Sequence, residues 1–298
     1  NADFEDAKGR NASDDIKAEL IKLKAQNVEG IILDLRNNGG GSLTEVVDIM
    51  GLFMKNGPVV QVKDGNGKIQ VLKNKQNDPI WTGPLVIMQN ELSASASEIL
   101  AGAMQDYGRA VIVGSPQSFG KGTVQTFVEL NRFLNTSDDF GALKLTIQKF
   151  YRVNGKSTQL KGVDSDIPMK DIFTYEEIGE RYDNYALPWD QVSTSGFAPL
   201  NTLNMSNLVN NSAKRLTQNK NYQLLLESAQ WKEKLDKEEK VTLNLKEFES
   251  LMKARKEQIE KFKSLIKFNN GLNFTLHADE AKRGKTDEVF AKKSENWL

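Results

Sequence analysis

Cysteine is absent from these 298 residues and histidine occurs once. The first absence removes disulfides, thiolate metal sites and cysteine nucleophiles together; it fits a reducing cytoplasm or a periplasm where a large core needs no staple. The second excludes a histidine-rich metal site. A hydrolase built on histidine would depend on His277 alone, which lies in Asn273-Phe274-Thr275-Leu276-His277, a segment that alternates like a strand and reads as surface. A general base is therefore sought among Lys, Asp, Glu and Tyr. Excess charge is missing too. Lys+Arg and Asp+Glu both number 40, so nothing draws the whole molecule toward nucleic acid or an anionic membrane. No apolar run approaches the roughly 20 residues that span a bilayer, and neither a signal-peptide pattern nor an internal repeat is found. Because residue 1 is Asn, further sequence is expected upstream.

With 39% hydrophobic residues the chain can bury a sizeable core, in one large domain or two smaller ones. Ser13 is expected to cap a helix through about Lys24, and Gly30 to Leu35 reads as a short strand buried on both faces. Ser42 to Met54 places Leu43, Val46, Val47, Met50 and Phe53 on one helical stripe. Pro58 to Lys63 and Lys68 to Leu72 form a hairpin around Gly65-Asn66-Gly67. A strand over Pro84 to Met88, a helix from Ser95 to Tyr107 and a strand over Ala110 to Val113 then imply a crossover and a largely parallel sheet. Leu143, Leu145, Ile147, Tyr151 and Val153 fall on one face of a further strand, followed by a tight turn at Asn154-Gly155. Beyond Asp171 the texture changes to polar, helical stretches, Leu203 to Leu226 and Phe248 to Ile266. The expected class is α/β, with residues 1–175 as one domain and 176–298 as a helix-rich second.

Three segments concentrate the chemistry. Ser93-Ala94-Ser95-Ala96-Ser97-Glu98 opens a helix, and Ser95 with Glu98 makes a capping box. A nucleophile there would also gain from the free amides and dipole of the helix amino terminus, which favour the negative oxygen of an acyl-transfer intermediate. In Phe119-Gly120-Lys121-Gly122-Thr123-Val124-Gln125, a lysine flanked by glycines enters an apolar strand. Period two puts Lys121, Thr123 and Gln125 on one face, with Lys121 and Gln125 about 13 Å apart at roughly 3.3 Å per residue. To act as a base Lys121 must be neutral. Asp34-Leu35-Arg36-Asn37-Asn38-Gly39-Gly40-Gly41 turns a strand end into a helix and exposes amides to an anion. A nucleotide reading fails on spacing: Thr44 stands where the dinucleotide fingerprint needs glycine, and Gly114 precedes Gly120-Lys121 by one residue too many for a Walker loop.

Together these segments resemble the tail-specific, carboxy-terminal processing family of serine peptidases, family S41, in its periplasmic branch. Phe150-Tyr151-Arg152-Val153-Asn154-Gly155, Lys161-Gly162-Val163 and Ala186-Leu187-Pro188-Trp189-Asp190 extend the likeness over most of the chain. The resemblance implies Ser95 as nucleophile, Lys121 as general base and Gln125 as the residue that positions it. Amides of Gly41 and Ala96 would form the oxyanion hole, and Asp106 matches a supporting position. The residues alone leave Ser93, Ser95 and Ser97 as equal candidates for nucleophile. The resemblance further implies a crotonase- or ClpP-like spiral protease core, no metal or other cofactor, and substrates that are unfolded proteins with apolar carboxy termini. It places the chain in a bacterial periplasm, peripheral to the inner membrane, with an adaptor protein as partner.

Two departures accompany the likeness. The turn Gly114-Ser115-Pro116-Gln117-Ser118 has Ser where the family has Glu and is one residue longer, and Ser165 stands where a proline is usual. The family's PDZ domain has no counterpart in this chain and is expected upstream. The alternative class is a protease-like binding module or scaffold without turnover.

Overall fold

Two four-stranded sheets organise the amino-terminal part of the chain, one parallel and one antiparallel. The computed structural model describes residues 11–133, 139–200, 203–266, 278–283 and 285–286; the segment around His277 lies outside them. The elements in order are α1 (Ala12–Ala25), β1 (Ile31–Asp34), α2 (Leu43–Phe53), β2 (Gly57–Asp64), β3 (Ile69–Asn74), β4 (Leu85–Gln89), α3 (Ala96–Asp106), β5 (Val111–Gly114), β6 (Thr123–Glu129), β7 (Ala142–Tyr151) and β8 (Ile167–Pro168). Helices α4 (Met205–Gln218), α5 (Lys220–Asp236), α6 (Leu245–Ile266) and α7 (Ala278–Arg283) follow.

The parallel sheet runs β1-β4-β5-β8, and the apolar stripes of α2 and α3 pack with it. Met50 and Phe53 from α2, Leu100 and Met104 from α3, and Ile87 and Ile112 from the central strands form its interior. At about 25 cal/mol per Å² of apolar surface, such side chains each contribute roughly 1.5–3 kcal/mol. The sheet is not buried equally on both sides. In β4, Leu85 and Ile87 are buried while Val86 and Met88 are half-buried, and on the edge strand β1 Ile32 is 66% exposed. This corrects the reading of residues 30–35 as a strand buried on both faces: the helices pack tightly on one face only. Helix α1 also starts earlier than expected. Asn11 is its cap, accepting from the Asp14 N–H at 2.8 Å, whereas Ser13 lies inside the helix and its N–H donates to Glu45.

The antiparallel sheet runs β3-β2-β7-β6. Asp64 Oδ1 accepts from the Asn66 and Lys68 amides and so closes the predicted hairpin between β2 and β3. The β7 pattern differs from expectation. Leu143, Leu145 and Ile147 are 48%, 44% and 46% exposed, while the adjacent Phe150 and Tyr151 are both buried. Among the described residues the outer half of β7 pairs only with β6, and its side chains there are exposed on both faces.

The carboxy-terminal helices break at Asn219, which ends α4 and caps α5 by accepting from the Tyr222 N–H at 3.0 Å. Tyr222 Oη accepts from the Lys170 N–H, and Lys232 pairs with Glu176. The chain divides into two compact units, residues 1–239 and 240–298; the second contains α6 and α7. No helix among the described residues is long and apolar enough to cross a membrane.

One position tests the strand-to-loop junction after β5. Gly114 has φ +139°, and a Cβ there would lie 1.9 Å from the Gln89 carbonyl oxygen. Gly114→Ala is expected to cost about 3 kcal/mol or more, read as a lower denaturant midpoint.

Candidate active site

Strands β1, β4 and β5 are neighbours and parallel, so the segments that leave their carboxyl ends emerge along one edge of the sheet. Those segments are the glycine loop, the serine turn and the approach to Lys121. A parallel α/β sheet characteristically places its sites at this edge.

Hydrogen bonds stitch the glycine loop to the serine turn. The Asn37 N–H donates to Asn90 Oδ1 and Asn90 Nδ2 to Asn37 Oδ1, while the Ala94 N–H and Ser97 Oγ both donate to the Asn38 carbonyl at 3.0 Å. Gly40 lies against the turn with φ +101°, and a Cβ there would stand 2.7 Å from the Ala94 carbonyl oxygen and 2.8 Å from Ser95 Cβ. Only glycine allows that approach. Gly41 follows in open space. Ala96 is the first residue of α3, so its N–H has no acceptor within the helix.

The three serines separate clearly. Ser93 is 1% exposed and its hydroxyl donates to the Leu35 carbonyl at 2.8 Å; Ser97 is 5% exposed and donates to Asn38. Ser95 is half-buried and holds φ 58°, ψ −114°, a conformation that L-residues rarely adopt. Such strain costs on the order of 1–3 kcal/mol and persists only where surrounding structure enforces it.

Part of that enforcement comes from Glu98. Its carboxylate is fully buried and accepts four hydrogen bonds: from the Ser95 N–H at 2.8 Å, Ser118 Oγ at 2.6 Å, the Gly120 N–H at 2.7 Å and the Lys121 N–H at 3.0 Å. The Ser95 and Lys121 amides share one oxygen, Oε2. Their nitrogens therefore lie no further apart than those two bonds laid end to end. The Lys121 backbone is fixed on its other side as well, since its carbonyl accepts from Thr158 Oγ1 and the Gly122 N–H donates to Gln159 Oε1. The flanking glycines follow from this crowding: a Cβ on Gly120 or Gly122 would meet backbone at Leu160 or Gln159 within 3.0 Å.

The Lys121 side chain is half-buried and has no hydrogen bond or ion pair among the described residues. Gln125 is exposed on β6, and no hydrogen bond joins it to Lys121. The register shifts between Val124 and Gln125, so the period-two alternation from Lys121 stops there: Thr123 is buried and Gln125 is open. The lengthened turn before Lys121 is anchored throughout. Ser115 Oγ donates to Glu91, Ser118 exchanges hydrogen bonds with Val163, and the Phe119 N–H donates to the Ser93 carbonyl at 3.0 Å.

Asp106 sits at the far end of α3, eleven residues beyond Ser95 and so about 16 Å away at roughly 1.5 Å per residue. Its carboxylate is 7% exposed, pairs with Arg152 at 2.6 Å and accepts from Asn154 Nδ2 at 2.8 Å. Arg152 also donates to the Gly102 carbonyl in the last turns of α3. Asp106 thus ties α3 to the turn after β7.

Peptidase family S41 matches residues 2–169, more than half of the chain. The chain belongs to peptidase family S41. A second match, to the C-terminal domain of tail specific protease, covers residues 173–298. The chain is similar to the tail-specific protease of Haemophilus influenzae, at 46% identity over 66% of this chain and 29% of that protein. It is also similar to the carboxy-terminal-processing protease of Bartonella bacilliformis, at 36% identity over 57% of this chain and 36% of that protein. The S41 chain thus spans about a third of the length of these curated relatives. Among solved structures it is similar to the photosystem II D1 C-terminal processing protease, at 31% identity, a TM-score of 0.46 and coverage of 53% of this chain and 40% of that one.

Glu98 is what reading the sequence missed: the capping box was visible, but three of the four donors come from the Ser118–Lys121 segment. Burial pushes its carboxyl up to about 7, against the four hydrogen bonds that pull it down. A carboxyl raised in the folded state contributes stability that is fully present below its unfolded value of about 4.5 and is lost as pH rises through about 7. Burial raises Glu91 and Asp166 in the same direction. In this S41 chain, Glu98→Gln is therefore expected to flatten, without abolishing, the fall in unfolding free energy between about pH 4.5 and 7 in denaturant titrations. An unchanged slope would show that Glu98 does not titrate in that window.

Proposed function

We propose that this chain is the catalytic part of a serine endopeptidase of the tail-specific, carboxy-terminal processing kind, working through a Ser95/Lys121 dyad. The observation that carries the reading is the strained Ser95 at the start of α3, whose amide shares one carboxylate oxygen with the amide of Lys121. Ser95 Oγ attacks the carbonyl carbon of the scissile peptide while its proton passes to neutral Lys121 Nζ. The carbonyl oxygen becomes an oxyanion held by the Gly41 and Ala96 amides, aided by the positive end of the α3 dipole. Collapse breaks the C–N bond, the Lys121 ammonium returns its proton to the leaving amine, and an ester to Ser95 remains. Water, deprotonated by Lys121, then attacks the ester and releases the new carboxylate. Gln125 serves to orient Lys121 once substrate lies along β6.

Residues 1–175 supply this chemistry in the proposal, and residues 176–298 form the helix-rich second domain. The substrates are unfolded proteins with apolar carboxy termini. The setting is a bacterial periplasm, peripheral to the inner membrane, with an adaptor delivering substrate. Similarity to proteins named tail-specific and carboxy-terminal-processing proteases supports this class.

In the full-length protein, Ser95→Ala and Lys121→Ala are each expected to lower cleavage of an unfolded reporter by at least about 10³-fold. Ser93→Ala and Ser97→Ala, whose hydroxyls are spent on carbonyls, should lower stability instead. Full cleavage by Ser95→Ala would sink the assignment, and a well-folded but inert wild-type protein would favour a scaffold.

A further inference from the structure

Glu98 has no part in the acyl transfer described above, yet it touches the backbone of both groups that perform it. Its Oε2 receives the Ser95 and Lys121 amides, and its Oε1 receives Ser118 Oγ and the Gly120 amide. The side chain is 0% exposed, so no water replaces a lost partner. We propose that Glu98 is a positioning residue for peptide cleavage, a two-sided clamp whose Oε2 sets the nucleophile and the base in register while Oε1 holds the approach to Lys121.

The inference rests on the Ser95/Lys121 reading and gives it a physical cause. Helix α3 is fixed by its packing against α2 and the sheet, whereas residues 115–122 form a connection without regular structure between β5 and β6. A loop so placed reaches a single arrangement only if something rigid specifies it. The clamp carries the position of α3 into that loop, and Ser95 sits at the join. Glutamine is close to glutamate in shape but cannot take this role: one of its two terminal atoms is an NH₂ donor and would face a pair of donors. Whichever way it turns, one side of the clamp opens.

The test, run above about pH 7 where the Glu98 carboxyl is ionised, uses the full-length protein, a fluorophosphonate probe that reacts with an activated serine, and steady-state cleavage of an unfolded reporter. Wild type is expected to be labelled at Ser95; absence of that label in folded, cleaving protein would overturn the dyad reading itself. With wild type labelled, Glu98→Gln is expected to slow labelling and lower kcat by about 10- to 100-fold, with KM changed less than about threefold. Ser118→Ala serves as the control. It removes one Oε1 donor and the partner of the Val163 amide but leaves Oε2 untouched, so it should lower stability while slowing labelling less than about threefold. Equal effects of the two variants, measured well below both unfolding transitions, would overturn the clamp. Should glutamine compromise folding, Glu98→Asp keeps the charge on a side chain one methylene shorter, which cannot reach both sides. Labelling of that variant at the wild-type rate would overturn the inference.

Discussion

A single buried carboxylate joins the motifs at the candidate site of this S41 chain. Leaving Glu98 ionised in a dry interior is unfavourable by several kcal/mol unless its lone pairs are met, and four donors meet them. Those donors come from a helix cap and from a loop more than twenty residues further along, so satisfying the charge and joining the two motifs are the same event. The sheet makes the meeting possible. Because β1, β4 and β5 run parallel and side by side, their exits are already gathered before any site residue is placed. The carboxylate then fixes what the topology only brings near.

The glycines express the same constraint sterically. Gly40, Gly120 and Gly122 each stand where a Cβ would collide with the serine turn or with the 157–160 segment. Around the candidate nucleophile and base the backbone itself is the packing material, and side chains are excluded from it. Asp106 works at the other end of the same helix: its buried pair with Arg152 anchors the last turn of α3. An ion pair in that position is weak evidence for net stability, since well-packed apolar groups could do as well. Its effect here is geometric. It ties the last turn of α3 to the turn after β7.

Much of this architecture was readable in the residues, because helix stripes and parallel strands announce themselves through local period. The crossover from Pro84 through Ser95 to Val113 is present as read, shifted by a residue or so at its ends. What escaped depended on distance along the chain. Ile32 looked buried because it lies between Ile31 and Leu33 in a largely apolar segment, but burial is decided by which strand forms the sheet edge. Leu143, Leu145 and Ile147 alternate as a buried face should, yet among the described residues their half of β7 pairs only with β6 and they stay exposed. The choice among three serines was likewise closed to local reading. What distinguishes their surroundings is a pair of carbonyls, Leu35 and Asn38, more than fifty residues upstream, which take up the Ser93 and Ser97 hydroxyls.

Several departures from good packing gather around Ser95 and Lys121, while others lie elsewhere, such as Asn27 at φ 56°. A sequence that only had to fold would avoid a non-glycine residue at positive φ, a fully buried carboxylate and a buried hydroxyl with nothing to bond. Ser95 is the first and Glu98 the second. Thr123, 3% exposed and with no partner for its Oγ1 among the described residues, is the third, two residues from Lys121. Gln89 Oε1, at the end of the strand that leads to Ser95, lacks a partner as well. Each works against stability by roughly 1–3 kcal/mol, a large share of what a domain of this size has to spare. Meanwhile the apolar interior between α2, α3 and the sheet shows ordinary close packing. Departures of this kind are expected where function competes with stability, and the group of them around Ser95 and Lys121 supports that region as the candidate site.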